Sequence, residues 1–335
     1  MLREAVNLGH VGHDDGLLAR MATPEIMRAV VIAAATILVA LAWTRNVNWD
    51  EFYFLSLIHA DLDGRLDRPL QTAFVHAFGW LADVPGHEMA QIFVARLVMT
   101  ALFATTVFSI HRISRDLAGR DATDIAVVAF LTSGFVLAHG TSFRADPITA
   151  ELYEWHASGI VSEPGNQTTA NAQNALSTTL LDAGLFPRSR EAILWAILSI
   201  GAIALALLGL VAPGTTRARL MRIGLVLPLV LSVLFYRNAF PYFFAFITPS
   251  MMVVAAVGAS RLGREATLGT LVALMSVTGA AQAVTALSEG AALQRATLAE
   301  VHRLFPDPVP YIDHNGMVAS FPREGFFMWT WGIAR

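Results

Sequence analysis

Residues Ile26–Trp43 read IMRAVVIAAATILVALAW, and shortly afterwards the chain continues Asn48-Trp49-Asp50-Glu51-Phe52-Tyr53. The first stretch has one charge, Arg28, at its start, and is apolar from there to Trp43. A bilayer core about 30 Å thick needs roughly 20 apolar residues to cross it as a helix, so this stretch has the length and composition of a membrane span. The second stretch reverses that chemistry, with two adjacent carboxylates between aromatic rings. An apolar crossing that ends in an acidic, aromatic corner predicts a helical membrane bundle with polar groups gathered at its mouth.

Six further runs repeat the apolar pattern: Ile92–Ile110, Ala122–Ala138, Ile193–Ala212, Ile223–Tyr236, Phe240–Ser260 and Thr267–Leu287. The expected fold class is therefore all-α, a polytopic integral membrane protein of about seven transmembrane helices. Counting seven spans puts four arginine-bearing regions on one side: Arg20 and Arg28; Arg112, Arg115 and Arg120; Arg217, Arg219 and Arg222; Arg261 and Arg264. The excess of basic residues in cytoplasmic loops assigns that side to the cytoplasm. The expected organisation is a cytoplasmic N-terminal segment (1–25), a transmembrane bundle (26–287) with outer loops 44–91 and 139–192, and a small extracytoplasmic C-terminal segment (288–335). The first run is expected to be retained as a helix, because Met1 to Arg28 lacks the order of a cleavable signal peptide.

Composition excludes several classes. Charged residues make up 15% of the 335 residues, against about 25% in soluble domains, and mean hydropathy is +0.54. There is no cysteine, so neither disulfide nor thiolate chemistry is available. No basic block points to nucleic acid. All 23 basic residues are Arg. The ten His are scattered, with His10 and His13 expected to be solvated. No metal motif with recognisable spacing appears, and neither does a Walker loop, a GxSxG turn or a dinucleotide fingerprint. The second outer loop holds a polar stretch, Glu163 to Thr179, with one sequon at Asn166-Gln167-Thr168.

The candidate chemistry lies at the outer ends of the runs, and each piece has two readings. Asp50 and Glu51 fit a solvated helix start with Trp49 and Tyr53 as interface anchors. They equally fit a partly desolvated carboxylate that takes a proton from an attacking hydroxyl. From Phe52 to Ile58 the apolar positions recur at helical spacing, as in a helix lying along the membrane surface. Arg96, near the outer end of the second run, either snorkels to water or pairs with a carboxylate or phosphate. Arg144 and Asp146, after the third run, form a loop ion pair of little worth or grip an anionic group, with Asp146 orienting it or assisting a metal. The turn Tyr236-Arg237-Asn238-Ala239-Phe240-Pro241-Tyr242 is an aromatic belt with one snorkelling Arg, or a site where Arg237 and Tyr242 hold phosphate oxygens. The tail adds Asp307 to Asp313 and the aromatic Phe321 to Trp331, expected to pack on the bundle mouth.

Taken in order, Asp50-Glu51, Ala95-Arg96-Leu97, Arg144-Ala145-Asp146-Pro147 and Asn238-Ala239-Phe240-Pro241-Tyr242-Phe243 give roughly Asn48 to Pro249 a pattern that resembles the GT-C glycosyltransferases. These are the polyprenyl-phosphate-sugar-dependent enzymes such as protein O-mannosyltransferases and the lipid A aminoarabinose transferase. The resemblance implies a GT-C-like fold in a bacterial inner (plasma) membrane with its active face extracytoplasmic. It implies inverting transfer of a hexose or pentose from a polyprenyl-phosphate donor to an acceptor lipid, glycan or protein. By the same match Asp50 is the base and Glu51 a second acid, while Arg96, Arg144, Asp146, Arg237 and Tyr242 bind substrate. No cofactor is certain, a divalent metal being the one candidate. The chain is shorter than is usual in that family, and a polar stretch follows Pro147 where further helices belong.

Two other classes compete. A non-catalytic GT-C-like accessory or lipid-binding membrane protein of glycan assembly would tolerate loss of Asp50. A transporter would place charge at mid-membrane and show an inverted repeat; here Asp50, Arg144, Asp146 and Arg237 all map to the outer boundary.

Overall fold

The computed structural model describes residues 15–64, 72–144, 185–236, 239–262, 265–312 and 316–322. These are mostly helical, and no strand occurs among them. A short helix α1 (Asp15–Met21) leads into α2 (Pro24–Thr44). Pro24 opens α2 where no intrahelical N–H is needed, and Glu25 faces the positive end of the helix dipole. Then come α3 (Trp49–Leu62), α4 (Thr72–Phe78), a 3₁₀ turn (Gly79–Asp83) and the long α5 (Glu88–Ala118). Gly119, at φ 87°, stops α5 in a conformation costly for any side chain. Next come α6 (Arg120–Thr132) and the single turn α7 (Val136–His139). The second half holds α8 (Ser189–Leu198), α9 (Ile200–Val211), α10 (Thr216–Phe235), α11 (Pro241–Ile247), α12 (Pro249–Ala259), α13 (Glu265–Ser288) and α14 (Ala292–Leu304).

Four helices are long and apolar enough to cross a membrane: α2, α5, α10 and the Thr267–Ser288 part of α13. Two bent pairs raise the number to six if each is one span, α8 with α9 at 85° and α11 with α12 at 58°. The second bend falls at Pro249, which has no N–H for the preceding turn. The third apolar run departs from expectation. It forms the 13-residue α6, breaks at Ser133-Gly134, and resumes for one turn. At 1.5 Å per residue α6 is only about 20 Å long, so among the described residues it does not count as a crossing by itself. The outer faces remain apolar, as lipid requires: Ile193, Ile197, Leu207, Leu220, Val277 and Val284 are all exposed. The described residues thus hold four to six helical units able to span a membrane, as in a membrane protein.

Between the spans, small residues let backbones meet. Any Cβ on Gly258 would collide with the Leu205 carbonyl, and one on Gly209 with the Val254 carbonyl, so α9 and α12 pack at their closest approach there. At the same end of α9, the buried Arg222 donates to the Gly209 and Ala212 carbonyls at 2.7 Å each, closing a helix terminus whose last carbonyls lack partners. Leu18 of α1 lies against Gly269 of α13, which brings α1 and the start of α13 together at the arginine-bearing end.

The opposite end is better folded than a pair of loops. Residues 44–91, expected as a long outer loop, contain α3, α4 and the 3₁₀ turn and bury their own apolar cluster. Phe52, Phe54, Leu55 and Ile58 of α3 pack with Phe74, Val75, Phe78 and Leu81, with Phe143, and with Leu298 and Phe321 from the C-terminal segment. The apolar face of α3 therefore meets protein, and the expected helix on the membrane surface is corrected. The rings of Phe74, Phe78 and Phe143 sit 4.8–5.3 Å apart in tilted and edge-on pairs. The C-terminal segment also holds more structure than its prolines suggested, since α14 is a three-turn amphipathic helix.

Candidate functional site

The corner between α2 and α3 is built around Glu51 and Arg96. Glu51 has no exposed surface. Its side chain reaches back to the Asn48 N–H at 3.0 Å, closing the first turn of α3. Across the bundle, Arg96 of α5 donates Nε to Oε1 at 2.8 Å and Nη2 to Oε2 at 2.6 Å, a two-pronged pair, and the Phe143 N–H adds a third direction at 2.9 Å. The remaining donors of Arg96 go to the carbonyls of Ala42, Arg45 and Asn46 at 3.3, 3.0 and 2.8 Å. A guanidinium has five N–H groups, and all five are engaged within the chain. Arg96 thus neither snorkels nor keeps a donor for a phosphate; it ties the end of α2 and the start of α3 to α5. Burial alone would raise the pKa of Glu51, but the Arg96 and Arg45 cations and the Phe143 N–H outweigh it and hold it at about 2. A carboxylate so held is a fixed anion and not a second acid.

Asp50, one residue earlier, goes elsewhere. It is 4% exposed and pairs through Oδ2 with Nη1 of the equally buried Arg144. The Arg144 guanidinium lies 3.4 Å from the centre of the Tyr242 ring, a close cation–π arrangement. Tyr242 in turn meets the edge of His139, centroid to centroid 6.4 Å. Three segments far apart in sequence thus converge: the start of α3, the chain after α7, and the first turn of α11.

Beside this junction is a cavity of about 600 Å³, within the range of pockets that take small ligands. Its walls come from Arg45 to Trp49, from Phe135, Ala138 and His139, from Leu194 and Leu198 of α8, from Pro241, from Gln282, Thr285 and Ala286 of α13 with Glu289 just beyond it, and from Gln294 and Met317. Most of that surface is apolar, and the polar atoms are few and spaced. Three of the lining residues each carry a fully buried polar atom without a protein partner: Arg45 Nε, His139 Nδ1 and Gln282 Oε1. Buried polar atoms are rarely left unpaired, so a ligand with complementary polar groups would satisfy them. Burial lowers the pKa of Arg45 to about 10, helped by Arg96 and opposed by Glu51; its Nη2 donates to Ser142 Oγ at 2.9 Å. Burial and the nearby Arg45 lower His139 to about 3, so its ring is neutral at ordinary pH. The wall is held by backbone stitching: Gln294 pairs through its amide with both the N–H and the carbonyl of Val47 at 2.6 and 2.8 Å, and the Asn46 N–H donates to the Glu289 carbonyl at 2.8 Å.

The sequence candidates are thus distributed unequally. Asp50, Arg144 and Tyr242 come together; Glu51 and Arg96 form a separate, saturated knot behind them. Asp146 and Arg237 lie outside the described residues, as do the sequon at Asn166, His10, His13, Asp313 and the aromatics from Phe326 onward. A divalent metal is not favoured by the described carboxylates of this corner, because Asp50 and Glu51 are each already matched by a guanidinium. Sequence reasoning missed Arg45, His139 and Gln282. Gln282 carried a signal, a lone amide inside an apolar run, where polar side chains are costly and tend to mark sites. Arg45 had none, since its hydrogen-bond partner Ser142 lies 97 residues away. No family model, no curated protein and no solved structure matches the chain.

Proposed function

We propose that this protein is a membrane glycosyltransferase that takes a sugar from a polyprenyl-phosphate donor at the loop-bearing, extracytoplasmic end of a seven-span, GT-C-like bundle. The observation that carries the reading is the meeting of Asp50, Arg144 and Tyr242 beside a cavity whose lining residues carry three unsatisfied polar atoms. Arginine grips phosphate oxygens in a fork, and a phosphate competes well with a carboxylate for it. In the proposed cycle the donor phosphate takes Arg144 from Asp50. The freed carboxylate then accepts the proton of the acceptor hydroxyl or amine as that atom attacks the anomeric carbon. The bond from that carbon to the phosphate oxygen breaks, and polyprenyl phosphate leaves with the electron pair. The leaving group is already good, so the protein's work is positioning and charge stabilisation. Arg45, His139 and Gln282 are assigned to the sugar, and the apolar wall from α8 to the first isoprene units. Glu51 and Arg96 take no part in binding or chemistry; they keep the corner in shape.

A second reading is favoured by one specific observation. Asp50 is 4% exposed and is not part of the cavity wall, as expected of a non-catalytic lipid-binding or accessory protein of glycan assembly in which the Asp50–Arg144 pair is architectural. The two readings separate on purified protein in lipid nanodiscs, given a panel of synthetic polyprenyl-phosphate sugars. Release of polyprenyl phosphate by the wild type, reduced by roughly 100-fold or more in Asp50→Asn, is the result expected of the enzyme. Binding of the same lipids with equal affinity by wild type and Asp50→Asn, without release, would replace it with the second reading.

A further inference from the structure

Away from the cavity, the N-terminus of α5 and the last turn of α14 bring together three groups that nothing above uses. His87 precedes α5, Glu88 is its first residue, and His302 lies on α14. The imidazoles of His87 and His302 stack nearly parallel, 9° apart in plane and 3.9 Å between centres. Nε2 of His302 is 2.8 Å from Oε2 of Glu88. One ligand atom from each of the three falls within 4.8 Å of the other two. The carboxylate is itself held in place: its other oxygen accepts from Ser320 N–H at 3.1 Å and Ser320 Oγ at 2.5 Å. Glu88 is fully buried, His302 partly buried, and His87 exposed.

We propose that His87, Glu88 and His302 form a site for a divalent transition metal of the zinc class. Two imidazoles and one carboxylate are a donor set that zinc takes readily, and the exposed side at His87 leaves a fourth position for water. Oε2 of Glu88, the oxygen that now faces His302, is the one that binds, while Ser320 fixes the other. That is the outer-shell support metal-binding carboxylates usually have. The metal takes the place of the proton now shared between His302 and Glu88. Zinc at about 2.0–2.1 Å from each nitrogen brings two ligand nitrogens to about 3.3 Å. Closing the site therefore asks for a movement of up to about 1.5 Å and for one ring to turn out of the stack, both of which the exposed His87 supplies. The bound ion ties α5 to α14 and to the segment 316–322, joining the membrane bundle to the cap that covers its mouth. Nothing in this proposal depends on the glycosyltransferase reading.

The test uses the full chain, purified on a tag without histidine and stripped with EDTA. Zinc is then titrated in competition with a chromophoric chelator, and cobalt(II) is used as a spectroscopic stand-in. The wild type is expected to take up one equivalent of zinc and to show the intense visible bands of four-coordinate cobalt. His87→Ala, which changes an exposed side chain and leaves the core intact, should lose both signals, and His302→Ala likewise. Ser320→Ala should keep the stoichiometry while affinity falls by roughly 10-fold, the size of an outer-shell loss. A wild type that binds no more zinc than His87→Ala, or that gives the same weak cobalt spectrum, overturns the site.

Discussion

Asp50 and Glu51 are adjacent in the chain and chemically alike, yet the bundle treats them as different kinds of residue. Glu51 accepts hydrogen bonds from Arg96, the Phe143 N–H and the Asn48 N–H, with the Arg45 cation 3.6 Å away. Asp50 has one cation, Arg144, itself shared with the face of Tyr242. A helix turns by about 100° per residue, so neighbours at its start look into different surroundings. What decides their roles is how many partners each must give up to react. Glu51 would have to break a network; Asp50 would have to break one pair. Buried charges with a full complement of partners specify a structure, whereas a buried pair with one alternative partner is where exchange with a ligand is cheapest.

That contrast makes quantitative predictions. The largest effect is expected from Arg96→Met. It leaves Glu51 buried and unpaired and strips donors from three carbonyls, which should cost about 4 kcal/mol of stability, read as a fall in unfolding midpoint in detergent. Acid should act through the same group. The folded pKa of Glu51, about 2, is below the ordinary 4.5. Its contribution is therefore complete above pH 4.5 and is lost as pH falls toward 2. The loss should amount to about 3 kcal/mol, and Glu51→Gln should flatten that part of a stability–pH profile. Asp50→Asn breaks a single buried pair and not a network, so it should cost less than Arg96→Met, about 3 kcal/mol of stability, while removing the proposed sugar transfer; a loss of stability equal to that of Arg96→Met would erase the distinction between the two carboxylates. Tyr242→Leu removes the ring under Arg144 and should cost about 1 kcal/mol, seen more in donor affinity than in unfolding. Smallest in stability is Gln282→Leu. An unpaired buried oxygen is removed, so unfolding should be unchanged within about 0.5 kcal/mol, while affinity for a lipid-linked sugar falls in a binding assay.

Much of this was legible from the chain, and the gaps have physical reasons. Hydropathy located the four long helices, because lipid demands apolar surface all round a span. It placed α8 and α9 in one run, Ile193–Ala212, and gave no sign of the 85° bend at Ser199, since composition carries no direction. The break at Ser133-Gly134 was hidden in the same way. Asp50, Arg144 and Tyr242 were picked for their types and their places at the ends of runs, and packing brings them together. Glu51 and Arg96 were picked on the same grounds, but whether a carboxylate is saturated depends on which backbone N–H groups and carbonyls fold against it. The triad of His87, Glu88 and His302 was invisible for a simpler reason: its third member lies over 200 residues from the others.

The stitch between Val47 and Gln294 spans 247 positions of sequence. In a protein threaded into a membrane from its start, the acidic corner emerges early and waits. Its cavity gains its far wall, Gln282 to Gln294, only after every other described span has been laid down. The pocket thus closes only after the last described span, α13, has been made. A chain made only as far as Gln282 has no closed cavity, and one whose cavity is closed has been checked, by that fact, for synthesis through Met317.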